Sequence, residues 1–286
     1  MIDTVNPFDA RPVSAPRSPV TGRESPSSTT PLWQSHRPEG AFELKFVVDD
    51  RKAEGIRDWA RQRLEPDPNA APVEADASSG TRGHADCYRV HSLYLDTPRL
   101  DIFHRIPAMQ GAKYRLRRYG NDHVVWLERK QKTEGIVRKQ RAASTDGEFL
   151  HRLRGPVEES WEGTWFRDQV DGLALRPTCH VTYERFARVG ITPSGPVRLT
   201  LDSGLCGERT AEWAVPRALL ASPSLLVGRS ILELKFRGVV PTLFKELMQD
   251  LQLATGRFSK YRETVRRFAE APSTGDADPA RGQDDA

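Results

Sequence analysis

Apolar and polar positions alternate along much of the chain, which is the pattern of β-strands with one buried face. The alternating runs are 41–48, 87–96, 135–142, 178–189, 196–202 and 229–237. Two further runs lie between 111 and 130. Because most connections between successive runs are short, we expect about eight strands that are mainly antiparallel.

Segments with the spacing of apolar residues typical of helices lie between some of these strands. Asp49 or Asp50 can cap a helix that continues to about Leu64, because an aspartate side chain accepts from the free N–H groups of a first turn. Further helices are predicted at 100–105, after Thr145 or Asp146, around 161–170, and from Pro241 to about Leu253. The pattern predicts an α+β, mainly β fold.

The run at 111–130 predicts a β-hairpin around a Tyr-Gly-Asn-Asp turn. Side chains alternate across a strand, so Lys113, Arg115 and Arg117 share one face. The second strand places Trp126, Glu128 and Lys130 on one face. A solvated hairpin surface is the plain alternative, but ordered rows of like charge need an anion, and a chain of phosphates fits.

Charged residues recur on one face of nearly every predicted strand. In a sheet with one buried face, such a face is simply solvated. Rows of paired Glu, Lys and Arg are better explained by a closed barrel with a polar interior. We therefore expect an eight-stranded antiparallel tunnel barrel with a charged lumen, flanked by helices.

Composition adds the outline of the domain. The 286 residues carry a net charge of +4, with 37% hydrophobic and 29% charged residues. Residues 1–38 are rich in Pro, Ser, Thr and Arg and are predicted to form a disordered tail, and 271–286 a disordered acidic tail. The Pro/Ala/Gly/Ser-rich stretch 65–84 is predicted to be a flexible loop. The basic charge therefore falls on the region between the tails, which suggests an anionic ligand.

Other classes are disfavoured. No stretch approaches the ~20 apolar residues that cross a bilayer, and no cationic start precedes an apolar block as in a signal peptide. Cys87, Cys179 and Cys206 are widely spaced, which argues against a disulfide framework or a structural zinc site. These features favour a cytoplasmic protein.

Several short motifs occur in a fixed order. They are Glu-Leu-Lys at 43–45, Ser-Leu-Tyr-Leu-Asp-Thr at 92–97, Gly-Ala-Lys-Tyr-Arg-Leu-Arg-Arg-Tyr-Gly at 111–120, Leu-Glu-Arg-Lys at 127–130, Val-Arg-Leu-Thr-Leu-Asp at 197–202, Leu-Glu-Leu-Lys-Phe at 232–236 and Phe-Ser-Lys-Tyr at 258–261. Together they resemble the VTC domain, the polyphosphate polymerase domain of the CYTH-like, triphosphate tunnel metalloenzyme superfamily. The resemblance assigns 41–268 to one such domain.

The resemblance implies binding of ATP and inorganic polyphosphate, transfer of the γ-phosphoryl group to the growing chain, and a divalent cofactor, Mn²⁺ or Mg²⁺. It implies that the catalytic residues are Arg115, Arg117, Lys130, Arg257 and Lys260. The implied phosphate-binding residues are Lys45, Arg105, Arg138, Tyr183, Arg185, Arg198 and Ser259. The implied metal ligands are Glu233 and Glu43.

Two positions depart from the family pattern. Ala41 stands where a fuller Glu-x-Glu-x-Lys signature has its first glutamate, as in other VTC-type members, and this argues against a plain triphosphatase. Arg257 stands where VTC-type polymerases have lysine, so a planar guanidinium replaces a compact ammonium.

Three functions remain open at this stage. The domain could polymerise polyphosphate, hydrolyse triphosphates, or bind polyphosphate or nucleic acid without turnover. Interleaved basic and aromatic residues also mark nucleic-acid surfaces. The carboxylates at 43, 128 and 233 stand among the cations, and a nucleic-acid surface does not need them. We therefore expect no nucleic acid, while a membrane partner that receives the product stays possible.

Overall fold

The computed structural model describes residues 41–68, 86–133, 136–156 and 160–270. Both predicted tails, 1–38 and 271–286, and residues 69–84 of the predicted loop lie outside these ranges. Within the described part of the chain, no helix has the length and apolar character needed to span a membrane.

Nine strands and six α-helices make up the described structure. The strands are β1 (Ala41–Asp49), β2 (Glu65–Pro66), β3 (Cys87–Asp96), β4 (Lys113–Tyr119), β5 (Val124–Thr133), β6 (Ile136–Thr145), β7 (Arg176–Thr192), β8 (Gly195–Arg209) and β9 (Arg229–Arg237). The helices are α1 (Asp50–Arg63), α2 (Asp101–His104), α3 (Asp146–Arg154), α4 (Thr164–Gly172), α5 (Thr242–Asp250) and α6 (Lys260–Glu270). The α+β class with a mainly β core is confirmed.

The strands form one antiparallel sheet in the order β1-β9-β8-β7-β3-β4-β5-β6, with β2 paired beside β7. β1 and β5 are six steps apart in this order, about 29 Å in a flat sheet. Yet Glu43 on β1 lies 3.8 Å from Lys130 on β5. The sheet is therefore strongly curved, and these side chains meet on its concave face.

The sheet does not close into a barrel, so that part of the predicted fold is corrected. The described strands form an open path with β1 and β6 at its two ends. The outer edge of β1 is occupied by the segment after α5. Thr255 forms a bridge with Phe46, and the Gly256 N–H donates to the Lys45 carbonyl at 2.8 Å. Because this segment satisfies backbone groups of β1, β6 does not pair there.

Apolar side chains cover the convex face of the sheet. Ile56 of α1 and Phe244 of α5 belong to one fully buried cluster with Leu199 of β8. Phe149 of α3 and Phe166 of α4 belong to a second cluster, with ring centroids 6.2 Å apart. Burying each such side chain contributes roughly 1.5–3 kcal/mol. The helices thus hold the sheet from outside and leave its inner face to polar residues.

Local signals place several helix ends correctly, and one helix was missed. The Asp49 carboxylate accepts from the Lys52 N–H at the start of α1, and the Thr145 hydroxyl accepts from the Glu148 N–H at the start of α3. The sequence interpretation contained no helix at α6. Part of the predicted loop is also regular, because Glu65–Pro66 pairs with β7 as β2.

Candidate functional site

Strand register determines which side chains meet on the concave face. Directly paired residues point to the same side of a sheet. β1 and β9 pair Glu43 with Lys235 and Lys45 with Glu233. β8 and β9 pair Arg198 with Lys235. Three strands on this side, β1, β9 and β8, therefore bring acidic and basic residues into adjacent rows.

A lysine lies between two carboxylates at the β1 end of the face. The Lys45 Nζ lies 2.6 Å from Glu43 Oε1 and also donates to Glu233 Oε1. Burial opposes ionisation of Glu43 and the charge of Glu233 adds to this, yet Lys45, Lys235 and Lys130 lower its pKa to about 2. The Glu233 pKa is lowered well below its usual range, because lysines around it outweigh the effect of burial. Both carboxylates are therefore ionised.

Lys260 enters the same group from the first residue of α6. Its Nζ lies 2.7 Å from Asp202 Oδ2 and 3.8 Å from Glu233 Oε1, and 4.8 Å from the centre of the Tyr183 ring. Arg185 donates twice to Asp202, at 2.6 and 2.7 Å. Despite burial, these cations lower the pKa of Asp202 to about 2. A fully buried carboxylate thus holds two of the predicted cations in place.

Arginines dominate the β4–β6 side of the face. Arg115 Nε donates to Glu128 Oε2 at 2.6 Å, while Arg117 lies 4.0 Å and Arg141 3.5 Å from the same carboxylate. Although burial raises the pKa of Glu128, these three arginines lower it to about 2. One carboxylate therefore neutralises only part of the local positive charge.

Lys113 lies beside this arginine group. Its Nζ donates to Ser259 Oγ at 3.2 Å. Burial and the neighbouring Lys130, Lys45 and Arg115 lower the pKa of Lys113 to about 8, although Tyr94 favours its charged form. Such a shift means that the surroundings disfavour a further positive charge. Burial is the larger cause of the shift, and the neighbouring cations add to it.

Asp96 anchors the segment that carries Ser259 and Lys260. Its carboxylate accepts from the N–H groups of Ile102 and Phe103, each at 2.9 Å, and from the Tyr261 hydroxyl. These bonds tie the start of α6 to β3 and α2. The anchor explains how residues distant in sequence from the hairpin reach its concave face.

Most predicted site residues lie in one group of contacts. The structure brings together Glu43, Lys45, Arg115, Arg117, Lys130, Tyr183, Arg185, Arg198, Glu233, Ser259 and Lys260.

Three predicted residues lie apart from this group. Arg138 pairs in register with Gln131, so it faces away from Glu128 and Lys130, and it is exposed. Arg105 is exposed at the end of α2, with its positive charge near Arg262. Arg257 is exposed in the segment before α6. Neither Arg105 nor Arg257 makes a contact with the concave-face group in the described ranges.

Several concave-face residues were not among the predicted site residues. The alternating pattern places Lys113 and Lys235 on the charged faces of their strands, but neither was chosen as a site residue. Arg141 was not among the predicted residues either, because the family resemblance implied Arg138 on the same strand. Asp67 lies in the predicted loop, yet its buried carboxylate accepts from Arg198 Nε at 2.8 Å. No local signal in the sequence marks that contact.

The carboxylates allow a test of the implied metal. In the described ranges no cluster of three or more His, Cys, Asp or Glu side chains could hold an ion. Glu43 and Glu233 contact the same Lys45 ammonium, so they lie near each other. Mg²⁺ at phosphate sites commonly uses one or two carboxylates together with substrate oxygens. These two carboxylates fit a divalent ion that phosphate oxygens also bind. Without phosphate they do not form a complete metal site.

The fold and the site are thus a curved antiparallel sheet with a cation-lined concave face. Residues 41–269 match the family described as the VTC domain, and the chain belongs to that family. A comparison with curated proteins found no match.

Solved structures with a related fold have low sequence identity. A protein from Bacillus halodurans, described as a proposed adenylate cyclase, has a TM-score of 0.47 and 13% identity, covering 80% of this chain and 97% of its own. A Hippeastrum adenylyl cyclase described as having a dominant triphosphatase activity gives a TM-score of 0.41 and 14% identity, covering 80% of this chain and 97% of its own. At these scores we base no argument on either.

Proposed function

We propose that this VTC domain is a polyphosphate polymerase that uses ATP. The observation that carries the proposal is the excess of positive charge around Arg115, Arg117 and Glu128 on the concave face. A terminal phosphate oxygen of the polyphosphate chain attacks the γ-phosphorus of ATP. The bond from that phosphorus to the β–γ bridging oxygen breaks, and ADP leaves. Such a transfer depends mainly on positioning and charge neutralisation, which arginine and lysine rows supply.

The carboxylates favour transfer over hydrolysis. A triphosphatase must activate water, and a general base works best with a pKa near the working pH. The pKa values of Glu43, Glu128 and Asp202 are about 2, and each carboxylate is engaged by lysine or arginine. An acceptor phosphate is already an anion and needs no base. A triphosphatase is the second candidate, because the same cations would bind its substrate.

A divalent ion, Mn²⁺ or Mg²⁺, would be held by Glu43 and Glu233 and would neutralise charge on phosphate oxygens. The superfamily generally depends on divalent metals. Binding of nucleic acid is not expected, because a nucleic-acid surface does not need carboxylates among its cations. Competition between tripolyphosphate and a single-stranded oligonucleotide tests this, and preference for the oligonucleotide contradicts it.

The direct test incubates the purified protein with ATP and Mn²⁺ and follows ADP and long-chain polyphosphate together. We expect both products from the unmodified protein and neither from the Arg115→Ala/Arg117→Ala variant. Arg138→Ala is the matched control, because it removes an arginine from the opposite face of the sheet. Inorganic phosphate without polymer would identify a triphosphatase, and absence of every product would refute both enzymes.

A further inference from the structure

Beyond Arg117, the concave face carries an aromatic side chain as well as cations. Trp126 lies next to Arg117 in the β4–β5 register and shares the face of Glu128. It is half-buried and does not belong to either apolar core cluster. A large aromatic side chain among cations is unusual, because its burial against apolar neighbours would contribute more.

An arginine is stacked on this tryptophan. The Arg141 Cζ lies 3.5 Å from the centre of the Trp126 ring and 5.6 Å from that of Tyr119. The same guanidinium lies 3.5 Å from Glu128. Glu128 thus connects the stacked group to Arg115 and Arg117, the cations assigned to the triphosphate.

Arg141 of β6 already lies over the Trp126 ring, but the β6 residue directly beside Trp126 is small. In the β5–β6 register the partner of Trp126 is Ala143, a small and exposed residue. β6 is the last strand of the sheet, so no further strand in the described path covers this edge. A flat group could therefore reach the aromatic ring from the β6 side while its charged part extends toward Arg117.

We propose that Trp126, Arg141 and Tyr119 form a stacking site for the purine base of the donor nucleotide. This inference rests on the proposed function. The base lies at the β5–β6 side, and the triphosphate extends along Arg117 and Arg115. Stacking uses the π-face that every base has. The site therefore distinguishes a nucleoside triphosphate from inorganic tripolyphosphate, and not one purine from another.

Calorimetric titration of the whole chain with ATP and, separately, with tripolyphosphate tests the site. Stacking of one base contributes enough that Trp126→Ala should weaken ATP binding by about tenfold, while tripolyphosphate binding changes less than twofold. Trp126→Phe should recover most of the loss. The matched control is Trp165→Ala, because Trp165 of α4 also has an arginine near its ring, Arg129 at 5.9 Å, but on the convex face. Circular dichroism verifies that each variant is folded.

The outcomes separate this inference from the proposed function. Equal weakening of both ligands, or unchanged ATP binding, in Trp126→Ala would overturn the stacking site and leave the polymerase intact. If the unmodified protein binds tripolyphosphate but does not bind ATP, the stacking site is also overturned. Binding of neither ligand by the unmodified protein would overturn both proposals.

Discussion

The two sides of the concave face differ in the balance of positive and negative side chains. On the side of β1, β7, β8 and β9, nearly every cation has a carboxylate partner: Glu43, Glu233, Asp202 and Asp67 alternate with Lys45, Lys235, Lys260, Arg185 and Arg198. On the side of β4, β5 and β6, the described contacts place Glu128 among Arg115, Arg117 and Arg141, with Lys113 beside them, and Lys130 reaches Glu43 across the face at 3.8 Å. The first side is nearly balanced and the second is strongly cationic.

This difference separates two tasks. A balanced network is satisfied without a ligand, so its charges stabilise the folded protein and hold Lys260 and Arg185 in place. An unbalanced one remains incomplete until an anion binds. We therefore expect substitutions on the cationic side to reduce turnover and substitutions on the balanced side to reduce stability.

The largest expected effect is on turnover after Arg117→Ala. Loss of one preorganised donor to developing charge typically costs 10²–10³ in rate, and we expect a loss in that range. Lys235→Ala removes a half-buried cation from the balanced side, where Lys45 and Lys260 still neutralise Glu233. Lys235→Ala should lower the rate of turnover by about tenfold or less. Initial rates of ADP release measure both, and equal losses would remove the distinction.

The next effect is on stability after Arg185→Ala. This change leaves the buried Asp202 carboxylate with Lys260 as its remaining partner among the described contacts. Removing one member of a buried pair commonly costs about 3–5 kcal/mol, and Lys260 should bring this toward the lower value. Urea unfolding gives the free energy. The Arg185→Ala/Asp202→Ala double variant should be more stable than Arg185→Ala, and the reverse order would mean that Asp202 is not the cause.

A smaller effect is expected on Mn²⁺ binding. Lys45 contacts both candidate ligands, so the ion competes with an ammonium group unless phosphate adds its own oxygens. The free protein should bind Mn²⁺ weakly and the tripolyphosphate complex more than tenfold more tightly. Electron paramagnetic resonance of free Mn²⁺ measures this directly. Glu233→Gln should abolish most of the gain, whereas Glu148→Gln on α3 should not.

Local sequence patterns decide which parts of the fold and of the candidate site could be predicted. Period-two alternation located β3 and β9 with the bounds that the structure has, and it placed Arg115 and Arg117 on one face. A one-residue change in register reverses the face of every side chain. Arg138 was implied by the family resemblance, and the register of β5 and β6 places it on the opposite face from Arg141.

Other features depend on contacts between distant residues. Asp67 and Arg198 are 131 positions apart, and nothing in the surrounding loop composition indicates their pairing. The closed barrel was predicted from charge on one face of each strand. That pattern indicates curvature around a polar interior, but it does not show which segment pairs with the last edge. Thr255 and Gly256 fill that place on β1.

The smallest expected effect is on the pH dependence of ligand binding. Two groups on the cationic side have a pKa of about 8: Lys113, chiefly through burial, and Tyr94, where burial is outweighed by Arg115, Arg117, Lys113 and Lys260. Above this pH Lys113 loses its positive charge and Tyr94 gains a negative one. The affinity for tripolyphosphate should therefore fall as the pH rises from 8 to 10.

The contribution of these two groups to the stability of the free protein should change in the opposite direction over the same range. Both folded pKa values are below the ordinary ones, so in the unfolded chain these two groups bind more protons between pH 8 and 10, and their contribution to the free energy of unfolding rises. Lys113→Arg keeps the charge to higher pH and should flatten the affinity profile. Titration calorimetry and urea unfolding at matched pH values measure the two trends. If both rise together, the cationic side is not short of negative charge, and the contrast with the balanced side fails.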